Sequence, residues 1–77
     1  MSQRLAEAFR LNVQDRMRKM GVTQTELAKR MGVTVANVNH FLTGYRNPGL
    51  ESLESFAEAL DTTASRLLEE KKLSKAS

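Results

Sequence analysis

Apolar residues recur at intervals of three or four over the first twenty positions of the chain. This interval places them on one face of an α-helix, and the resulting stripe consists of Leu5, Phe9, Val13, Met17 and Met20. The pattern predicts a first helix from about Ser2 to Met20, which Gly21 ends. Most of the basic residues of this helix lie off the stripe, and each can be a solvated charge or a phosphate contact: Arg4, Arg10, Arg16, Arg18 and Lys19.

Two shorter helices are predicted between Thr23 and Gly44. Thr23 is followed three residues later by Glu26, a capping box in which the threonine accepts a backbone hydrogen bond and the glutamate reaches back to the cap. Gly32 suits the left-handed conformation that ends many helices. The next helix is bounded in the same way by Thr34 and Gly44. Its apolar positions form the face expected to be buried: Val38, Phe41 and Leu42.

A loop and a fourth helix are predicted to follow. The segment 45–49 contains proline and glycine, which are typical of loops. The fourth helix then has an apolar stripe at helical spacing, made of Leu50, Leu53, Phe56, Ala57 and Leu60. Its other side is acidic, which makes that face unsuited to DNA, and consists of Glu51, Glu54 and Glu58.

A short fifth helix is predicted near the end of the chain. Asp61 and Thr62 interrupt the fourth helix, and Thr63 can cap the next one. Leu67 and Leu68 form its apolar edge. Residues 69–77 alternate in charge and are expected to fray.

Composition narrows the class of protein. A chain of 77 residues forms one small domain of modest stability, too small for an enzyme fold with a separate active-site cleft. Its net charge of +3 suits an anionic partner. The absence of cysteine excludes disulfides, zinc fingers and a thiol nucleophile. No catalytic residue, metal site or cofactor is predicted, and without a signal core or long apolar run the protein is expected in the cytosol, away from membranes.

The predicted second and third helices share a spacing of small and apolar residues that fewer sequences satisfy than a simple amphipathic pattern. Counted from Gln24 as position one, positions five, nine, fifteen and eighteen are Ala28, Gly32, Val38 and Phe41. A small fifth residue lets two helices approach closely, and a glycine at the ninth tolerates positive φ. This pattern strongly resembles the helix-turn-helix of the lambda and 434 repressors and Cro proteins, the XRE type, over residues 13–68. A helical hairpin used for protein contact is the alternative interpretation.

The resemblance implies an all-α, compact five-helix, lambda-repressor-like DNA-binding domain over residues 1–70, with a frayed tail at 71–77. The third helix is then the exposed recognition helix. Some relatives pair an arginine of the first helix with a glutamate of the third, whereas this chain has Met17 and Leu42 there, and we expect a packed apolar contact instead. The chain also departs from relatives at Asp61, where they commonly have glycine, and at the next residue, where they have an aliphatic side chain.

The outward face of the third helix carries the candidates for base recognition. It has neither an acidic residue nor a large exposed hydrophobe, with Ala36, His40 and Thr43 pointing outward. Asparagine can bond both the N6 and N7 atoms of adenine, and aliphatic side chains can pack on a thymine methyl group. We therefore predict base contacts from Val35, Ala36, Asn37, Asn39 and His40.

Contacts to the DNA backbone are predicted on either side of this face. The start of the second helix presents free N–H groups and a positive dipole end, and in relatives the loop after the recognition helix also lies on DNA. The predicted set is Thr23, Gln24, Thr34, Thr43, Tyr45, Arg46 and Asn47. Tyr45 can instead be a lid on the core. Arg46, in a flexible loop, is expected to reach a phosphate while being poorly fixed for reading a base, although relatives sometimes have a base contact there.

These features predict a sequence-specific transcriptional regulator that binds the major groove of double-stranded DNA. We expect a repressor that occupies a promoter as a homodimer on an inverted repeat, with the dimer surface near the loop after Pro48 and the last helix. Protonation of His40 beside phosphates would tighten binding as pH falls. Two alternatives are a family member that has lost DNA binding and an antitoxin-type interaction module that also binds its own operator. The latter needs an exposed apolar surface, which Leu67, Leu68 and Leu73 suggest.

Overall fold

The computed structural model describes residues 2–70 and folds this part of the chain into five α-helices without a strand. The helices are α1 (Gln3–Met20), α2 (Gln24–Met31), α3 (Val35–Leu42), α4 (Leu50–Ala59) and α5 (Ala64–Leu67). The all-α, five-helix architecture is therefore confirmed. The predicted tail at 71–77, with Leu73, lies outside the described residues. None of the helices in residues 2–70 combines the length and apolar character that a membrane span requires.

Helix ends follow the predicted caps. The hydroxyl oxygens of Thr23, Thr34 and Thr63 each accept the backbone N–H three residues later, at 3.1, 3.1 and 3.2 Å. Gly32 ends α2 in the left-handed conformation, with a φ of 72°. The capping box is only half formed, because the Glu26 carboxylate accepts from Arg30 at 3.4 Å, one helical turn further on.

Three phenylalanines join α3 to the core. The ring of Phe56, which is fully buried, meets the rings of Phe9 and Phe41 edge to face at centroid distances of 5.1 and 5.3 Å. Aromatic pairs of this geometry add about 0.5–1.5 kcal/mol to the burial of their surface. Because Phe41 belongs to α3, these contacts fix which side of α3 faces outward.

Met17 and Leu42 are both buried in the same apolar cluster. Both positions are therefore apolar and buried where some relatives have an ion pair, as expected. Leu50 departs from prediction, since it was assigned to the buried stripe of α4 but is 75% exposed. It is the first residue of α4, and the stripe turns toward the core only one turn later, at Leu53.

Polar side chains of α1, one buried and one exposed, hold the segment at the end of α5. The amide nitrogen of Asn12 donates to the carbonyl oxygens of Leu67 and Glu69 at 2.8 and 2.7 Å. Glu70 accepts from Arg4 at 2.8 Å, and this carboxylate raises the pKa of Arg4. Residues 69 and 70 are therefore held against α1, which corrects the expectation that fraying begins at residue 69.

The end of α4 is held by arginines from two other helices. Nε and Nη2 of Arg16 donate to the carbonyl oxygens of Leu60 and Asp61, both at 2.8 Å. Nη1 of Arg30 donates to that of Ala59 at 2.9 Å. Carbonyls at a helix end have no partner within the helix, so these bonds satisfy them. Arg16 thus has a structural role, which neither of the two sequence-based interpretations included.

Candidate nucleic-acid interface

The side of α3 that faces away from the phenylalanine core is open to solvent. Val35 is 42% exposed, and Ala36, Asn39 and Thr43 are also exposed. Asn37 and His40 are half-buried. All five predicted base contacts therefore lie on or beside one outward surface, but two of them are partly covered by the loop that follows the helix.

Tyr45 is one of the residues that cover this surface. Its ring lies 4.8 Å from the ring of His40, centroid to centroid, with a tilt of 46° between the planes. Tyr45 is itself 81% exposed, so the interpretation of this residue as a lid on the core is wrong. Its ring shields one side of His40 and extends the outward surface of α3 toward the loop.

Arg46 is fixed by three contacts, which contradicts its assignment to a flexible loop position. Its backbone N–H donates to the carbonyl of His40 at 3.1 Å. Nη1 donates to Oδ1 of Asn37 at 3.0 Å, and the guanidinium carbon lies 5.9 Å from the centroid of the Phe41 ring. The chain folds back after Gly44, so the arginine lies along α3 and has a defined register relative to its base-facing residues.

The bond to Arg46 changes what Asn37 can do. Bidentate recognition of adenine uses both the oxygen and the nitrogen of an asparagine amide, and the oxygen of Asn37 already accepts from Arg46. Asn39 is exposed, and within residues 2–70 its side-chain amide has no hydrogen-bond partner. Of these two asparagines, Asn39 is therefore the better placed for adenine.

The starts of α2 and α3 both present backbone donors. The threonine caps occupy the N–H groups of Glu26 and Asn37, which leaves the first two N–H groups of each helix without an intrahelical partner. Such groups bind phosphates well because they add to the positive end of the helix dipole. Thr23 and Thr34 are exposed and Gln24 is half-buried, so the predicted backbone contacts at both helix starts are accessible to solvent.

The charge of this region favours an anion. Between Glu26 and Glu51 the chain contains no acidic residue, but it contains Lys29, Arg30 and Arg46. The predicted loop contacts Thr43, Tyr45, Arg46 and Asn47 are all exposed. Within residues 2–70, no group of three or more histidine, aspartate or glutamate side chains could hold a metal ion. The surface combines hydrogen-bonding groups with positive charge, as a protein that contacts DNA requires.

Two short helices joined by a glycine turn, the second with an exposed polar face, define a helix-turn-helix protein, a class that binds DNA and regulates transcription. A family model described as helix-turn-helix matches residues 13–68. The chain therefore belongs to this family, in its Cro/C1 type.

Comparison with solved structures gives a relative that shares most of the fold. The crystal structure of the hypothetical transcription factor NHTF from Neisseria is similar to this chain, with a TM-score of 0.80 and 28% sequence identity. The similarity covers 84% of this chain and 75% of that chain. No curated protein matches the chain.

Proposed function

We propose that this protein is a sequence-specific regulator that binds the major groove of double-stranded DNA through α3 and represses transcription by occupying a promoter. The observation that carries the proposal is the outward face of α3, which is rigidly backed by Phe41 and flanked by exposed helix starts. In this proposal Asn39 recognises a base through hydrogen bonds, and Val35 and Ala36 make apolar contacts to thymine methyl groups. Arg46 and the helix starts position the protein on the phosphates.

The proposal includes binding as a homodimer. A single recognition module buries only about 600–1,000 Å² on DNA, which is too little to select one operator from a genome. The dimer surface is predicted near the loop after Pro48, where Leu50 is 75% exposed. Leu50 therefore supplies an apolar contact for a second copy. Leu67 is 2% exposed and cannot contribute to a partner surface. The same burial removes one of the leucines on which an antitoxin-type surface would depend.

The test of the proposal is selection of bound duplexes from a random pool, followed by footprinting on the enriched sequence. We expect an inverted repeat whose half-sites lie about one helical turn apart. Leu50→Asp should weaken dimer formation in sedimentation measurements. Leu11→Asp, which changes a 56% exposed leucine on α1 in the same way, is the matched control. A single unsymmetric half-site protected at saturating protein would contradict the dimer.

A further inference from the structure

The guanidinium group of Arg10, on α1, lies flat against Gly44 in the loop after the recognition helix. A β-carbon at Gly44 would lie 3.3 Å from Nη1, 3.4 Å from Cζ and 3.7 Å from Nε of this arginine. Because three atoms of the group are at similar distances from one point, the glycine faces the plane of the guanidinium. Gly44 has a φ of 85°, a backbone conformation that favours glycine. Because glycine has no side chain, it also leaves space for the guanidinium group of Arg10.

This stacking leaves the donors of Arg10 available. The N–H bonds of a guanidinium lie in its plane and point outward from its edges, so a contact on the face does not cover them. Most other arginines of residues 2–70 donate to protein oxygens through the guanidinium, namely Arg4, Arg16, Arg18, Arg30 and Arg46. Arg10 makes no such hydrogen bond or ion pair within the described part of the chain.

Arg10 lines a polar cavity. Its volume is about 310 Å³, and it is lined by Gln3, Ala6, Arg10, Thr43, Gly44 and Asn47. None of these residues is acidic, so Arg10 gives the cavity a positive charge without a neutralising carboxylate in its lining. Two of them, Thr43 and Asn47, belong to the loop for which backbone contacts are predicted.

We propose that Arg10, together with the loop at 43–47, forms a phosphate-binding site that holds the DNA backbone beside the recognition helix. The proposal rests on the proposed function, because the anion is a DNA phosphodiester. Charge-assisted hydrogen bonds from a guanidinium to phosphate are strong, and a side chain already fixed by stacking loses little freedom on binding. The site makes α1 a second point of attachment, which positions the protein without reading sequence.

Arg10→Gln tests the site. Arg18→Gln is the matched control, because it removes the same charge from the same helix, and Arg18 pairs with Asp15 beside the cavity between α1 and residues 69 and 70. Affinity is measured for the selected operator and for a mixed-sequence duplex between about 50 and 200 mM salt. We expect Arg10→Gln to weaken both complexes roughly three- to tenfold. The slope of log affinity against log salt should become shallower by about 0.9 per protomer, whereas Arg18→Gln keeps the wild-type slope.

A second variant tests the stacking itself. Gly44→Ala retains the charge of Arg10 but adds a methyl group 3.3 Å from its Nη1, so it should reproduce part of the loss on both duplexes. Thermal melting of every variant separates a loss of DNA affinity from unfolding. If Gly44→Ala does not fold, the result for Arg10→Gln by itself tests the phosphate site. Equal slopes for Arg10→Gln and Arg18→Gln, with wild-type protein binding DNA, would overturn the site and leave the proposed function intact. Wild-type protein that binds neither duplex would overturn both.

Discussion

The hydrogen bond between Arg46 and Asn37 predicts that these residues act as one unit in DNA binding. Nη1 of Arg46 lies 3.0 Å from Oδ1 of Asn37, and its guanidinium carbon lies 5.9 Å from the centroid of the Phe41 ring. These contacts fix a side chain that the loop alone would leave free. Truncating Asn37 should therefore weaken the contact that Arg46 makes with DNA, in addition to any contact of its own.

The size of the effect follows from the contacts. A hydrogen bond to a charged group contributes about 1.5–3 kcal/mol, and an exposed cation–π contact about 0.5–1 kcal/mol. Arg46 is exposed, and solvent screens its interactions. We therefore expect that about 0.5–1 kcal/mol of the DNA-binding free energy contributed by Arg46 depends on Asn37. Arg46→Ala alone should also reduce the salt slope by about 0.9 per protomer. The double variant Asn37→Ala/Arg46→Ala should then lose less affinity than the sum of the single variants.

The assay is a double-mutant cycle on the selected operator, measured by fluorescence anisotropy. A second cycle with Asn39→Ala and Arg46→Ala is the matched control, because Asn39 is an amide on the same helix without a hydrogen bond to Arg46. Its single-variant losses should add within about 0.3–0.5 kcal/mol. Losses for Asn37→Ala and Arg46→Ala that add within the same margin would refute the reasoning, as would equal coupling in both cycles.

Three further substitutions test other parts of the structure. Asp61→Gly should stabilise the protein by about 0.5–1 kcal/mol in thermal melting, because Asp61 has a φ of 57° and its charge lies at the end of α4; a lower melting temperature would contradict this. Arg16→Met should lower the free energy of unfolding in urea by about 1–3 kcal/mol, since it leaves the carbonyls of Leu60 and Asp61 without donors. Unchanged stability would show that water donates to these carbonyls in place of the guanidinium group. His40→Gln should remove any tightening of operator binding as pH falls, since only a protonated imidazole gains attraction to phosphates, and identical pH profiles would exclude that role.

The helices were predictable because their signals are local. Each threonine cap lies three residues from the N–H that it accepts, and Gly32 occupies the left-handed position immediately after its helix. The outward face of α3 was predictable for the same reason, since Val38 and Phe41 mark its buried side within one helix. Family resemblance supplied the arrangement of the helices, which periodicity does not specify.

Two of the structural features that the sequence did not predict depend on side chains that bond to a distant part of the chain. Arg16 reaches carbonyls 44 and 45 residues later, and Asn12 reaches carbonyls 54 to 57 residues later. No local pattern distinguishes such residues from solvated ones. The bond between Arg46 and Asn37 spans only nine residues, but it depends on the path of the loop after Gly44, which composition does not define.

The central claim is that the outward face of α3 reads DNA sequence, and binding of Asn39→Ala tests it most directly. The amide of Asn39 is held on a helix whose opposite side is buried, so it can meet a base edge in a fixed register. Affinity is measured for the selected operator, its single-base variants and a mixed-sequence duplex at one salt concentration. We predict a loss of about 1–3 kcal/mol per half-site on the operator, little loss on mixed sequence, and relaxed preference at one symmetric pair of positions. Equal losses on every duplex, with base preference unchanged, would contradict the claim.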